Sequence, residues 1–274
     1  MPINKITPAD IRAWQNQILQ ATYISKKIQR KYSPTYINAL HVQLSAIFNY
    51  AVTYYRLPSN PAKLAGGIGK TKAHAMKFWT IGQFNQFISS FSADSTEYLV
   101  FNLLFYTGMR SGELLALTLA DFYEKEKSIH VNKTYSRLHK KDIITSPKTE
   151  KGNRVILLPQ FIVDMLADYI NRLPYIKQNE RIFPCSKFWL FRHMKLGCKL
   201  SGAEQIRIHD LRHSHASLLI EMVFSPLLIK ERLGHEDIKI TLQTYSHLYL
   251  SKQEELTAKL NDIGRNSIKT VSIA

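Results

Sequence analysis

The sequence is poor in cysteine, with two residues, Cys185 and Cys198. Their spacing makes neither a metal-binding pattern nor a disulfide framework, so a reducing cytoplasm is the expected compartment. No run of about 18 apolar residues occurs, and no transmembrane helix is expected. The opening stretch, MPINKITPADIRAWQ, lacks the apolar core of a secretory signal. Internal repeats and low-complexity tracts are missing as well. Acidic residues are scarce: 21 Asp and Glu against 37 Lys and Arg leave a net charge of +16. The shortage is sharpest in residues 1–70, which hold nine cations (Lys5, Arg12, Lys26, Lys27, Arg30, Lys31, Arg56, Lys63 and Lys70) and one acid, Asp10. Such a surplus seeks a polyanion, nucleic acid before an anionic membrane surface. A merely solvated face gives the same count, and charge does not separate DNA from RNA.

What is present suits a globular protein. The chain has 274 residues, of which 45% are hydrophobic, enough for two domains with real cores. Residues 1–65 read as helical. Thr7-Pro8-Ala9-Asp10 supplies a cap, a first-turn proline and a capping-box acid, and Ser33-Pro34 repeats the start signal. Ile37, Leu40, Leu44, Ile47, Phe48, Ala51 and Tyr54 then keep helical spacing up to Pro58. The stretch PSNPAKLAGGIGKTKAHAMK, with prolines and glycines among lysines, reads as a linker. A boundary near residues 66–76 divides a first domain, 1–70, from a second, 76–274. In the second, helices are predicted from Thr80 to about 91 and from about 95 to 106, with a short one beginning at Ser111. KSIHVNKTY, DIITS and NRVILLP, within 127–158, predict a small antiparallel sheet. Helices return at about 161–172, 187–200, 209–222, 226–233 and 237–249. An amphipathic segment, 251–262, closes the fold before the tail RNSIKTVSIA.

Four stretches carry chemistry. In YTGMRSGELLAL, Gly108 permits a sharp turn, Arg110 sits on it, Ser111 caps the next helix and Glu113 lies in its first turn. Backbone amides and a guanidinium converge there as they would on an anion, though an ordinary helix junction looks the same. In TSPKTEKGNRVILLP, Lys148 precedes a turn between two strands and so rides on a hairpin; Lys151 is a local competitor that spacing does not exclude. In RIHDLRHSHASLLIEM, Leu211, His215, Leu218 and Met222 form the expected buried stripe. His209, Arg212 and His213 point elsewhere, and His209 and Arg212, three apart, can grip one anion. His209 and His213 also have the spacing of a zinc pair, but a guanidinium between them would repel the cation. In LGHEDIKITLQTYSH, Asp237 caps a helix, and Ile238, Leu242, Tyr245 and Tyr249 share a stripe. Periodicity alone makes Tyr245 a packing residue.

Taken in order, Arg110, Lys148, His209-x-x-Arg212, His235 and Tyr245 closely resemble the catalytic boxes of the tyrosine recombinase family, also called phage integrases. The resemblance covers about residues 80–262 and fills every box. Residues 1–65 resemble the helical, SAM-like core-site DNA-binding domain that precedes the catalytic domain in integrases of phages and conjugative transposons. Many integrases carry a further arm-site domain ahead of it. This chain begins almost directly at the helical domain, so it resembles either the short type or a fragment of a longer integrase. The implied fold is mainly α, a two-domain DNA clamp with an α+β catalytic domain containing a small antiparallel sheet.

The resemblance also implies roles. Arg110 and Arg212 clamp the scissile phosphate, Lys148 is the hairpin lysine and general acid, and His209 manages protons. His235 donates to a phosphate oxygen, Tyr245 is the nucleophile and Glu113 is the acidic residue of the first box. The chemistry suits the set. Fixed guanidinium donors hold nonbridging oxygens more strongly as charge builds on phosphorus, work that divalent metals do elsewhere. A phenol is mostly protonated at neutral pH and needs position and a base. Activity is therefore expected without metal or nucleotide cofactor. The expected partners are double-stranded DNA at core-type sites, a homotetramer on two such sites, and accessory DNA-bending or directionality factors; no membrane is expected. A type IB topoisomerase-like activity and a non-catalytic DNA-binding regulator are the competing functions. The segment 251–262 argues for recombination, because in the family a helix there packs into a neighbouring protomer.

Overall fold

A computed structural model of the chain describes residues 1–25, 27–70, 77–147 and 149–239, together with Leu242, Thr257, Leu260 and Asn261. The chain divides into two compact units, Met1–Ala75 and Met76–Ala274.

In the first unit, helix α1 (Pro8–Gln20) starts at a capping box: the Asp10 amide donates to Thr7 Oγ1 at 3.3 Å and the Thr7 amide to Asp10 Oδ2 at 2.8 Å. Helix α2 (Pro34–Tyr55) is capped by Ser33, and the short α3 (Pro61–Ala65) by Asn60. A small core of Ile11, Phe48, Ala62 and Ala65 joins the three. One expectation needs correction. Residues 22–25 and 28–31 are not helical: β1 (Thr22–Ser25) and β2 (Ile28–Lys31) form an antiparallel hairpin. Lys27 turns the chain with φ 64°, a conformation no helix tolerates. The helix that the spacing of Ile37 to Tyr54 predicts is present, with Ile37, Phe48 and Ala51 buried and Ile47 and Tyr54 exposed.

The second unit is built around α5 (Thr96–Thr107), whose Leu99, Val100, Phe101, Leu103, Leu104 and Phe105 are all buried. Apolar on every side, it must lie inside. Helix α4 (Ile81–Ile88), the short α6 (Ser111–Leu114), α7 (Gln160–Arg172) and α9 (Asp210–Glu221) pack against it. Helix α8 (Lys187–Ser201) lies on α4. Trp79 ties the unit's entry to α9, its amide donating to Ser214 Oγ at 2.8 Å.

The β-rich stretch forms two small antiparallel sheets rather than one. Strands β3 (Phe122–Tyr123), β4 (Ser128–Val131) and β7 (Arg154–Leu157) make a three-stranded sheet in the order β3-β4-β7. Strands β5 (Thr134–Leu138) and β6 (Lys141–Thr145) form a separate hairpin. The turn read between DIITS and NRVILLP is therefore no hairpin turn. It is a crossover from one sheet to the other, containing a 3₁₀ turn at Glu150–Gly152.

Helix α10 (Pro226–Leu233) is capped by Ser225 and ends on Gly234, φ +65°. Helix α5 ends similarly on Gly108, φ +67°. A Cβ on Gly108 would stand 2.7 Å from His215 Cδ2 and 2.8 Å from Leu233 Cδ2. The ends of α5 and α10 thus meet against α9, and that junction positions the site. Among the described residues, no helix is long and apolar enough to cross a membrane.

Candidate active site

Arg110 occupies the N-cap of α6, one residue earlier than the Ser111 cap expected from sequence. The cause is Glu113, whose Oε2 accepts from the Arg110 amide at 2.9 Å and so closes the first turn there. Glu113 Oε1 also accepts from Arg110 Nη1 at 2.8 Å. The Arg110 side chain stays 42% exposed, open to a ligand, while that of Glu113 is 6% exposed. Burial raises the Glu113 carboxyl. The Arg154 hydrogen bond and charge, then the Arg110 amide and charge, outweigh it and hold the group below its ordinary range.

Arg212 is buried on α9. Its Nη1 donates to the Gly108 carbonyl at 2.8 Å and its Nη2 to the Leu233 carbonyl at 2.5 Å. One guanidinium therefore bolts the last turn of α5 to the last turn of α10. Both helices end in left-handed glycines, which leaves those terminal carbonyls available.

His209 precedes α9, on a turn fixed by Arg207, whose guanidinium forks onto buried Asp210. Burial, then the charges of Arg212 and Arg110, lower its pKa. His213 stands edge-on to His209 with ring centroids 5.1 Å apart. Burial and then His209 push it down to about 4. His235 follows Gly234 directly. Burial, then the charges of Arg212 and Arg110, push it down to about 3. Residues far apart in sequence thus share one positive, partly desolvated space: Arg110, His209, Arg212 and His235, with His213 beside them and Glu113 behind. Desolvation and the neighbouring cations disfavour the imidazolium form in all three, His209 being the most exposed of them.

The remaining expectations fare differently. Lys148 and Tyr245 lie outside the described residues. Lys151, the local competitor, directs Nζ to the Glu236 carbonyl at 3.4 Å, next to His235. Asp237 caps as expected, accepting from the Lys239 amide at 2.9 Å. Ile238 is half-buried, but Leu242 is 40% exposed, so the predicted apolar stripe is open at that point. On α9, Leu211 and His215 are buried, whereas Met222, expected in that stripe, is 58% exposed because the helix ends at Glu221. His215 is not part of the site. It faces the core, where its Nε2 accepts from Arg232 Nε at 3.0 Å. Among the described residues, no three His, Cys, Asp or Glu side chains converge on a metal position.

Sequence reasoning missed two arginines. Arg154, on β7, places Nη2 2.9 Å from Glu113 Oε2, and its Nε donates to the Arg232 carbonyl at 2.9 Å. A Cβ on Gly234 would stand 2.8 Å from the Lys151 carbonyl and 3.0 Å from Arg154 Cδ. Arg154 therefore links the Arg110–Glu113 turn, the crossover and the approach to His235. Arg232 reaches the Leu157 carbonyl at 3.2 Å and the Tyr106 carbonyl at 3.1 Å, fastening α10 to β7 and α5. Strand parity offered a signal for Arg154, which shares a face with buried Ile156.

A helical fold with small antiparallel sheets thus gathers arginines and histidines from distant elements around one positive, partly desolvated space. Residues 76–252 match the model of the phage integrase family, and the chain belongs to that family, as a tyrosine recombinase that breaks and rejoins DNA. It is 32% identical to the ICEBs1 integrase of Bacillus subtilis (strain 168), over 95% of this chain and 72% of that protein. Its fold is similar to that of the Tn1549 transposon integrase in complex with a circular intermediate DNA. The TM-score is 0.75 at 20% identity, over 93% of this chain and 87% of the other. A lambda integrase dimer bound to a COC′ core site is similar at a TM-score of 0.58 and 19% identity, over 89% and 81% of the two chains. Site-specific recombination is the function these likenesses support, ahead of topoisomerase-like relaxation or a non-catalytic regulator.

Proposed function

We propose that the chain integrates or excises a mobile element by cutting each DNA strand with Tyr245. The phenol oxygen attacks the scissile phosphorus. One P–O bond forms to Tyr245 and one breaks to the 5′-oxygen, which takes a proton from Lys148. His209 accepts the phenol's proton. Arg110 and Arg212 hold the nonbridging oxygens, and His235 donates to one of them. Glu113 fixes Arg110. The 3′-phosphotyrosyl bond keeps the energy of the cut backbone, so a 5′-hydroxyl from another strand reseals it with neither ATP nor metal. Residues 1–70 grip core-type duplex sites, four protomers join two such sites, and DNA-bending or directionality factors set the outcome.

The observation that supports this reading is the pairing of half-exposed Arg110 with buried Arg212 beside His209 and His235, whose charged forms are disfavoured there. A neutral imidazole suits proton acceptance, and a charged one does not. The test uses purified chain, EDTA and a negatively supercoiled plasmid carrying the DNA that flanks its own gene, quenched with SDS. A covalent protein–DNA band that vanishes in Tyr245→Phe is expected. A band that persists in Tyr245→Phe, or that EDTA abolishes, overturns the mechanism.

A further inference from the structure

We propose that the β1–β2 hairpin is a DNA-binding ribbon that enters a groove of the duplex, its two faces meeting opposite phosphate walls. The proposal rests on the reading that this chain acts on duplex DNA. The hairpin adds nothing to the core of its unit: seven of its eight strand residues are exposed and the eighth, Ser25, is half-exposed. An isolated two-stranded hairpin is marginal in water. This one is braced from outside the ladder. Tyr23 stacks on Tyr32 at 5.0 Å, and Tyr32 on Tyr36 of α2 at 5.2 Å. Gln29 Nε2 donates to Thr22 Oγ1 at 2.8 Å. A braced ribbon that buries nothing is shaped for something outside its own unit.

The register says what that is. Tyr23 pairs with Arg30, and Thr22 with Lys31. Successive residues face opposite ways, so Arg30 lies on the tyrosine face and Lys31 on the face of Thr22 and Ile24. Each face carries one exposed cation, and Lys27 adds another at the turn. A groove presents phosphates on both sides, and the major groove admits a two-stranded ribbon. Between the cations, at the tip, Ile24 is 80% exposed and Ile28 56%. Apolar tips of this kind meet sugars and thymine methyls in a groove. Nine cations against one acid in residues 1–70 fix the sign of the partner.

The test measures binding of the full chain to a labelled mixed-sequence duplex across a KCl series. Each lost phosphate contact lowers the slope of log affinity against log salt by about 0.9. The triple variant Lys27→Gln, Arg30→Gln, Lys31→Gln should therefore lose about 2 to 3 units of slope, with unchanged melting. Ile24→Ser, which keeps every charge, should weaken binding several-fold at constant slope. Lys125→Gln, Lys127→Gln, Lys177→Gln removes equal charge elsewhere and should leave the slope near wild type. A steep wild-type slope that survives in the hairpin triple, or falls equally in the control, sinks the ribbon alone. A flat wild-type slope sinks the duplex-DNA reading with it.

Discussion

Arg154 and Glu113 meet as a two-pronged ion pair. Nη2 lies 2.9 Å from Oε2 and Nη1 3.3 Å from Oε1, with side chains only 7% and 6% exposed. The pair joins a strand to a helix start 41 residues away in sequence. Arg154→Met leaves the Glu113 carboxylate with half its support in a dry place. Breaking a buried pair this way costs about 3–5 kcal/mol. Arg154→Lys keeps the charge but loses the fork, and should cost less. Urea unfolding of the three proteins checks the order.

Arg212→Lys should be more damaging to activity than charge counting suggests. An ammonium cannot span the Gly108 and Leu233 carbonyls, which the planar fork bridges at 2.8 and 2.5 Å. The ends of α5 and α10 then lose their common bolt. Covalent adduct formation should fall at least about a hundredfold, as for loss of a main transition-state donor. Duplex binding should change far less. Comparing adduct yield with anisotropy on the same substrate separates the two.

Stability should erode on the acid side through two kinds of group, histidines whose charged form the fold disfavours and a carboxylate whose charged form it favours. Burial, then the Arg232 charge, push His215 from an ordinary 6.5 down to about 3. Below the higher value the unfolded chain takes up a proton that the folded chain refuses. The contribution is therefore complete above pH 6.5 and lost as pH falls toward 3, with a slope of up to about 1.4 kcal/mol per pH unit. Glu113 is held below its ordinary range, so its contribution is present above that range and lost as pH drops through the folded value. His215→Gln, whose amide oxygen can still accept from Arg232, should lessen the slope between about pH 6.5 and pH 4 by up to about 1.4 kcal/mol per pH unit, while the slope that remains comes from His209, His213 and His235. Chemical denaturation across pH provides the curve.

Gly108→Ala should strain the junction of α5, α9 and α10. The residue has φ +67°, and its methyl would meet His215 and Leu233 side-chain atoms at 2.7 and 2.8 Å. Misplacement of a conformation reserved for glycine, added to overpacking, costs about 2–4 kcal/mol. The melting temperature should drop, and adduct yield should drop further than binding, because Arg212 hangs from the Gly108 carbonyl.

Helix starts were the most readable part of the sequence. Thr7, Ser33, Thr80 and Ser225 each accept from a first-turn amide, as short-range capping chemistry dictates. The elements of the second unit were readable because α5 is so thoroughly apolar and the helices around it strongly patterned. The β1–β2 hairpin was not, because its strands bury nothing and leave no alternation to detect. Its brace comes from Tyr36, outside the strands. Arg110, His209, Arg212 and His235 were picked out by motif, but their convergence on one space is a tertiary fact. Arg232 escaped because its partners, carbonyls and the His215 ring, come from distant elements; strand parity hints that Arg154 points inward but not that a carboxylate meets it there. Leu242 and Met222 were overread, since period alone does not say where a helix stops or what covers it.

Glu113 is shared. Arg154 holds it from within, and Arg110 holds it from the exposed side through the same Oε1. Were the Arg110 guanidinium to swing outward, the carboxylate would keep a full positive partner in Arg154 at its back. Loss of the outer contact would therefore strand no bare anion in the interior, because the inner arginine stays in place.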